Sequence, residues 1–314
     1  MIYAVKVMIS SQSSKISLDP FSDVLNTLEI RSIRRTRLEA SGAWSLRFAA
    51  SASLKFVAIL RGRCWVTIPG QPATRLSAGD TYLLCDTEHV ITSNPALSPI
   101  DGMPLFEGPD NDVARLNGND TVALGGGIVL APGGARFLLD TLPAFMLMRA
   151  SSPAAGAIGK MLGLLENEIG RARLGESLVT SRLADILLIE ALRAYAEEQG
   201  TASLGWVGAL SDRQIGDAIR LMHSEIAHPW KVGELATAVG MSRSAFAQRF
   251  ATLVGKPPLG YLRSWRMILA LHALQHEKCT IGTLASRLGY ASESAFGHAY
   301  KQTFGQSPRS ARSR

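Results

Sequence analysis

Residues 232–258 read VGELATAVGMSRSAFAQRFATLVGKPP, and residues 281–308 read IGTLASRLGYASESAFGHAYKQTFGQSP. They are one pattern written twice. Val232, Leu235, Ala236 and Gly240 recur 49 positions later as Ile281, Leu284, Ala285 and Gly289. Ser242, Phe246, Phe250 and Pro258 recur 50 positions later as Ser292, Phe296, Tyr300 and Pro308. The extra residue, Ala291, falls in a turn, where an insertion is tolerated. Each copy spells a short helix with Leu and Ala on its buried face, then a glycine able to take positive φ. A serine follows to cap a second helix, and an aromatic pair four residues apart anchors that helix to a core. The opposite face of the second helix is left free. Two hairpins that merely pack together would also satisfy one such motif. Its doubling inside the basic part of the chain predicts a tandem helix-turn-helix unit facing a DNA groove.

The charge is concentrated in the same region. Residues 205–314 carry 14 Lys+Arg against 6 Asp+Glu, whereas residues 1–204 carry 19 against 20. The whole excess of the +7 chain therefore lies in its last third. A basic segment joined to a near-neutral one points to a polyanion partner held by one domain; a solvated basic face is the alternative from charge alone.

Over roughly 206–310 the sequence resembles the AraC/XylS family of transcription regulators. The resemblance runs through GWVGALSDRQIGDAIRLMH, HPWKVGELATAVGMSRSAFAQRF, VGKPPLGYLRSWRM and the second repeat. It implies two helix-turn-helix units joined by a long helix at about 257–276, with both recognition helices in successive major grooves of double-stranded DNA. The outward positions early in the first recognition helix are Arg243, Ser244, Ala247 and Gln248; those in the second are Glu293, Ser294, Gly297 and His298. Ser242 and Ser292 stand at the helix starts, Arg249 is expected on a phosphate, and Lys301 belongs to the same DNA-facing set. Relatives often carry arginine where Gln248 and His298 stand. Glutamine suits adenine N6 and N7, so an A·T preference is expected in the first half-site. RNA polymerase becomes a further partner if the protein activates.

The first two thirds read differently. Asp19-Pro20 opens a short helix, FSDVLNTLEI, with Asp19 as N-cap. From about 31 to 130 short β-rich runs alternate with turns: Leu54–Leu60, Arg63–Ile68, Thr81–Leu84 and Val90–Thr92, with Arg61-Gly62, Pro69-Gly70 and Ala78-Gly79-Asp80 between them. Residues 94–120, rich in Pro, Asn, Asp and Gly, read as a long loop. Helical spacing returns at 153–172 and 178–199, a pair expected to mediate a homodimer or else to pack on the β-domain. The stretches DPFSDVL, GRCWVTIPG and LSAGDTYLLC…EHV resemble the cupin-type sensor domain of one AraC subfamily. The expected fold is therefore an α+β two-domain chain: a cupin-like β-barrel plus helices, then an all-α tandem helix-turn-helix domain. Its parts are a flexible N-terminus at 1–18, a sensor domain at 19–150, a helical segment at 151–204 and a DNA-binding domain at 205–314.

Many cupins are metalloenzymes, and a metal site needs several imidazoles converging with a carboxylate. Five of the six histidines lie beyond residue 206, leaving His89 alone in the β-domain. Phe56 and Leu124 stand where subfamily members often show histidine and cysteine. A mixed site of His89, Cys85 and a carboxylate is the remaining way to hold a metal. No metal, cofactor or enzymatic activity is expected; a cupin-type metalloenzyme fused to a DNA-binding domain is the alternative, and an architectural DNA binder would not need the β-domain. A small-molecule effector is expected in a cavity involving Trp44, Phe48, Phe56, Trp65, Cys64, Cys85 and His89, with oxidant sensing by Cys64 and Cys85 as the other option. Three widely spaced cysteines argue against a disulfide framework and fit a reducing cytoplasm. No run reaches the ~18 apolar residues of a membrane helix.

Overall fold

The computed structural model describes residues 19–28, 31–51, 53–108, 111–129, 135–168 and 173–312. The expected flexible lead-in at 1–18 lies outside them. Helix α1 (Pro20–Thr27) starts as its sequence predicts: Asp19 accepts a hydrogen bond from the Ser22 N–H, and Pro20 occupies the first turn.

Next in the chain are strands β1 (Arg31–Ala40), β2 (Ser45–Phe48), β3 (Ser53–Arg61), β4 (Arg63–Thr67), β5 (Thr74–Ser77) and β6 (Thr81–Cys85). After them come β7 (His89–Thr92), β8 (Ile100–Asp101), β9 (Val113–Leu116), β10 (Thr121–Val129) and β11 (Phe145–Met148). They form a six-stranded sheet, β11-β6-β3-β10-β1-β9, and a five-stranded sheet, β5-β4-β7-β2-β8. The two share a core that includes Leu38, Trp44, Leu46, Ile59, Cys64, Val66, Leu76, Tyr82, Leu84 and Ile91.

Strand β3 explains its own composition. Val57 and Ile59 belong to the core between the sheets, while Leu54, Phe56 and Ala58 belong to a core on the other face of the larger sheet. A strand covered on both faces has no solvent side to mark with polar residues, so it reads as the near-continuous apolar run LKFVAIL.

The predicted loop at 94–120 is not uniform. It contains β8, a single 3-10 turn at Met103–Phe106, and β9. Both strands pair in parallel with distant partners, β8 with β2 and β9 with β1, so neither shows the hairpin spacing by which strands are recognised.

Beyond β10 come helices α2 (Ala135–Leu139), α3 (Gly156–Glu168) and α4 (Glu176–Gln199), with a 3-10 turn at Pro153–Ala155 before α3. Buried residues of all three join the second core. The basic part is helical: α5 (Gly205–Ala209), α6 (Arg213–Ser224), α7 (Val232–Ala238), α8 (Arg243–Val254), α9 (Pro258–His276), α10 (Ile281–Arg287), α11 (Glu293–Phe304) and α12 (Pro308–Arg312).

The second core does not stop at the β-domain. From Leu54 and Phe56 it continues through Phe137, Leu138 and Trp206 to Leu235, Phe246, Phe250, Tyr261 and Trp265. The Phe137 ring lies 5.4 Å from Trp206, 5.6 Å from Tyr261 and 5.8 Å from Trp265, and the Trp206 indole N–H donates to the Phe137 carbonyl at 3.2 Å. The first helix-turn-helix unit is thus packed directly onto the β-domain. The second unit has a core of its own, where Met267, Ala270, Leu271 and Leu274 of α9 meet Leu284, Ala285, Phe296 and Tyr300.

Candidate nucleic-acid interface and inter-sheet cavity

The two repeats fold alike, for the reasons their residues suggest. Gly240 and Gly289 take φ of +68° and +75°, which turns the chain out of α7 and α10. The next residue's N–H then reaches back to Ala236 O at 2.8 Å in the first unit and to Ala285 O at 2.9 Å in the second. Ser242 Oγ accepts from the Ala245 N–H at 3.3 Å, and Ser292 Oγ from the Ala295 N–H at 3.1 Å, capping α8 and α11. Phe246, Phe250, Phe296 and Tyr300 are fully buried.

On the other face, Ser242, Arg243, Ser244, Gln248 and Arg249 are exposed, and so are Ser292, Glu293, Ser294, His298 and Lys301; Ala247 and Gly297 are half-buried. Two charged members of this set are engaged within the protein. Arg249 pairs with Asp212 at 2.5 Å, and Glu293 with Arg309 at 3.4 Å. Asp212 also caps α6, accepting from the Gln214 and Ile215 N–H groups. Burial raises its pKa, but those donors and the Arg249 guanidinium outweigh it and hold the carboxyl below its usual range. Arg249 therefore ties α8 to α6, a role that spacing along the chain did not reveal.

A cavity of about 280 Å³ opens between the two sheets, lined by residues that include Thr36, Leu38, Phe48, Lys55, Phe56, Val57, Tyr82, His89, Ile91, Met103 and Phe106. Of the seven residues expected there, Phe48, Phe56 and His89 line it. Trp44 and Cys64 are instead buried in the inter-sheet core, Trp65 is half-exposed on β4 beside Cys64, and Cys85 lies in the core against the helices. Alternation along each strand turns Trp65 and Cys85 away from it, since neighbouring residues point to opposite faces; Phe56 borders the cavity although it belongs to the core on the other face of the larger sheet. Lys55 and Tyr82 are among the lining residues that were overlooked. Lys55 had a signal: it shares parity with Val57 and Ile59 in an apolar run.

The cysteine chemistry does not favour oxidant sensing. Burial, with Asp80 adding, pushes the Cys64 thiol up to about 12; burial, with Asp86 adding, does the same to Cys85. Neither supplies the thiolate that reaction with an oxidant needs. Cys85 and His89 also belong to different faces of the β-domain, so the mixed metal site does not assemble; among the described residues no group of three or more His, Cys, Asp or Glu could hold a metal ion. No helix among them is long and apolar enough to cross a membrane.

Comparison with known proteins agrees with this architecture. A cupin family model matches residues 19–197, and a helix-turn-helix domain model matches residues 235–314. An AraC-like transcription regulator from Streptomyces antibioticus is 35% identical over 294 residues, covering 93% of this chain and 97% of its own. The HTH-type transcriptional regulator AlkR of Acinetobacter baylyi is 26% identical over 304 residues, covering 93% of this chain and 98% of its own. Among solved structures, the DNA-binding domain of AdpA in complex with a target DNA aligns at 27% identity and a TM-score of 0.32, over 33% of this chain and 92% of that one. Two capped recognition helices on a basic tandem repeat, a cupin domain before them and relatives that regulate transcription have one common reading: the chain belongs to the AraC family of helix-turn-helix transcription regulators with an N-terminal cupin domain.

Proposed function

We propose that this DNA-binding regulator is controlled by a small molecule held in the inter-sheet cavity, with residues 19–150 as sensor, 151–204 as dimerising segment and 205–314 as DNA reader. One observation carries the reading. Strand β3 lines the cavity through Lys55 and Val57, and Phe56 between them belongs to the core that continues through Trp206 to Phe250 in the first recognition helix. A ligand that displaces Phe56 or its strand acts on packing shared with the reader, and close-packed cores shift as units. In the reader, Arg243, Ser244, Gln248, Glu293, Ser294 and His298 contact bases or their edges, while Ser242, Arg249, Ser292 and Lys301 face the backbone. The exposed Leu178, Val179 and Ile186 on α4 support a homodimer contact.

The test is a thermal-shift screen of the full chain against a library of small metabolites, repeated on Val57→Phe, which fills the cavity. A true effector raises the wild-type melting temperature by mass action, fails to do so in Val57→Phe, and changes operator affinity at least tenfold. Hits that stabilise both proteins equally, or that leave operator affinity unchanged, would refute the reading.

A further inference from the structure

The cavity between the sheets has a specific chemistry. Lys55 is the one charged side chain among the described residues that line it. It sits on β3 between the apolar neighbours Leu54 and Phe56, and its ammonium makes no ion pair or hydrogen bond with any described residue. Asp86 contributes a favourable field without reaching contact, and burial still lowers the lysine's pKa. A half-buried ammonium in an apolar wall is costly unless an anion accompanies it.

Among the described residues, two further polar groups are left without partners at the same place. Tyr82 Oη and His89 Nδ1 are both buried and unsatisfied, and their residues are 0% and 5% exposed. Their rings are 6.3 Å apart, edge to face. Buried polar atoms in folded proteins are nearly always paired, so two orphans lining one cavity point to a missing occupant. The rest of the wall is apolar and aromatic: the Phe48 ring stacks on His89 at 5.2 Å and lies 6.3 Å from Phe106, with Leu38, Val57 and Ile91 around them.

Taking this cavity as the effector site proposed above, we infer that it binds a compact, largely apolar carboxylate, its carboxylate on Lys55, Tyr82 and His89 and its hydrocarbon body against Phe48 and Phe106. One cation and two neutral polar groups suit a single negative charge shared by two oxygens; a phosphate dianion would be left short of donors. The volume, at the lower edge of the ~300–1,000 Å³ usual for ligand pockets, limits the body to a substituted ring or a short chain. Tyr82 donates its O–H, and the neutral imidazole takes the tautomer that donates from Nδ1. Binding gives each orphan a partner and the ammonium its counter-ion.

The experiment uses the full chain at pH 7 and three acids, 4-propylbenzoate, indole-3-acetate and octanoate, each beside its own primary amide. Thermal shift finds the binding pairs and calorimetry measures them. At least one acid is expected to bind ten or more times tighter than its amide. In Lys55→Met that preference disappears, while binding to nonspecific DNA is unchanged; Lys55→Arg restores part of it. Wild-type preference for acid over amide is read without any variant, so a misfolded Lys55→Met would not rescue the proposal. Amides that bind as tightly as acids would overturn the carboxylate and leave the effector cavity standing. Binding by none of the six probes would overturn both.

Discussion

Burial holds the His89 imidazole at a pKa of about 3, with the Lys55 ammonium adding to the shift. Burial also lowers His223, although Asp23, 3.5 Å away, partly opposes it. Both folded values lie below the unfolded ~6.5, so the unfolded chain binds more protons as pH falls. Stability is therefore full above ~6.5 and is lost as pH falls toward the folded values, at up to ~1.4 kcal/mol per pH unit for each group. Calorimetric melting between pH 7.5 and 4.5 should show this slope, and His89→Gln should flatten it; an unchanged slope would place the proton uptake elsewhere. At the DNA face, Gln248→Arg should move base preference from A·T toward G·C at one position, by ~1–3 kcal/mol, as scored by binding-site selection. Identical preferences for the two proteins would mean that Gln248 does not read sequence. The capping serines, the turn glycines and the aromatic pairs were legible because each acts over four residues or fewer. The Arg249–Asp212 pair was not, since its partners stand 37 positions apart and meet only once α6 and α8 have packed.

Elements inherit such differences even where their sequences match. Gly240 has open space where a Cβ would be, whereas a Cβ on Gly289 would lie 2.3 Å from Ala227 O and 2.8 Å from the Arg266 guanidinium. That guanidinium clasps the loop before α7, donating to Ile226 O at 2.9 Å and His228 O at 2.8 Å. Gly240→Ala should thus cost only the left-handed backbone strain, ~1–2 kcal/mol, while Gly289→Ala adds ~1–3 kcal/mol of overpacking. Chemical denaturation of the two variants checks the order, which would be reversed or absent if the turns were equivalent. On α4, Val179 and Ile186 are seven residues apart on one exposed face, whereas Leu187 and Leu188 are buried. Val179→Glu combined with Ile186→Glu should convert a dimer into a monomer in sedimentation at micromolar concentration, with an unchanged helical spectrum. A helical period shows that such a stripe exists; only packing shows which part of it the domain has used. The same holds for the strands: β3, β4, β6 and β7 were legible as apolar runs, and β8 and β9 were not, because their pairing is parallel and remote.

For the molecule as a whole, the repeat located the reader, yet nothing in the repeat says that its two copies are mounted differently. The first is fused to the core of the cupin domain through Phe137, Trp206 and Tyr261; among the described residues, the buried side chains of the second gather in a core cluster of the reader's own. Both are joined along α9. Its Tyr261, Leu262, Trp265 and Ile268 serve one core, and its Met267, Ala270, Leu271, Ala273 and Leu274 serve the other; Leu269 touches both. That single helix therefore works as an axle whose angular phase sets how the two readers are clocked around the duplex. One residue inserted after Leu269 would turn the second reader by ~100° and advance it ~1.5 Å relative to the first. A footprint should then shrink to the first half-site. Four inserted residues return the angle to within ~40° but add ~6 Å of travel, so occupancy of the second half-site should come back only on operators whose half-sites are spaced further apart.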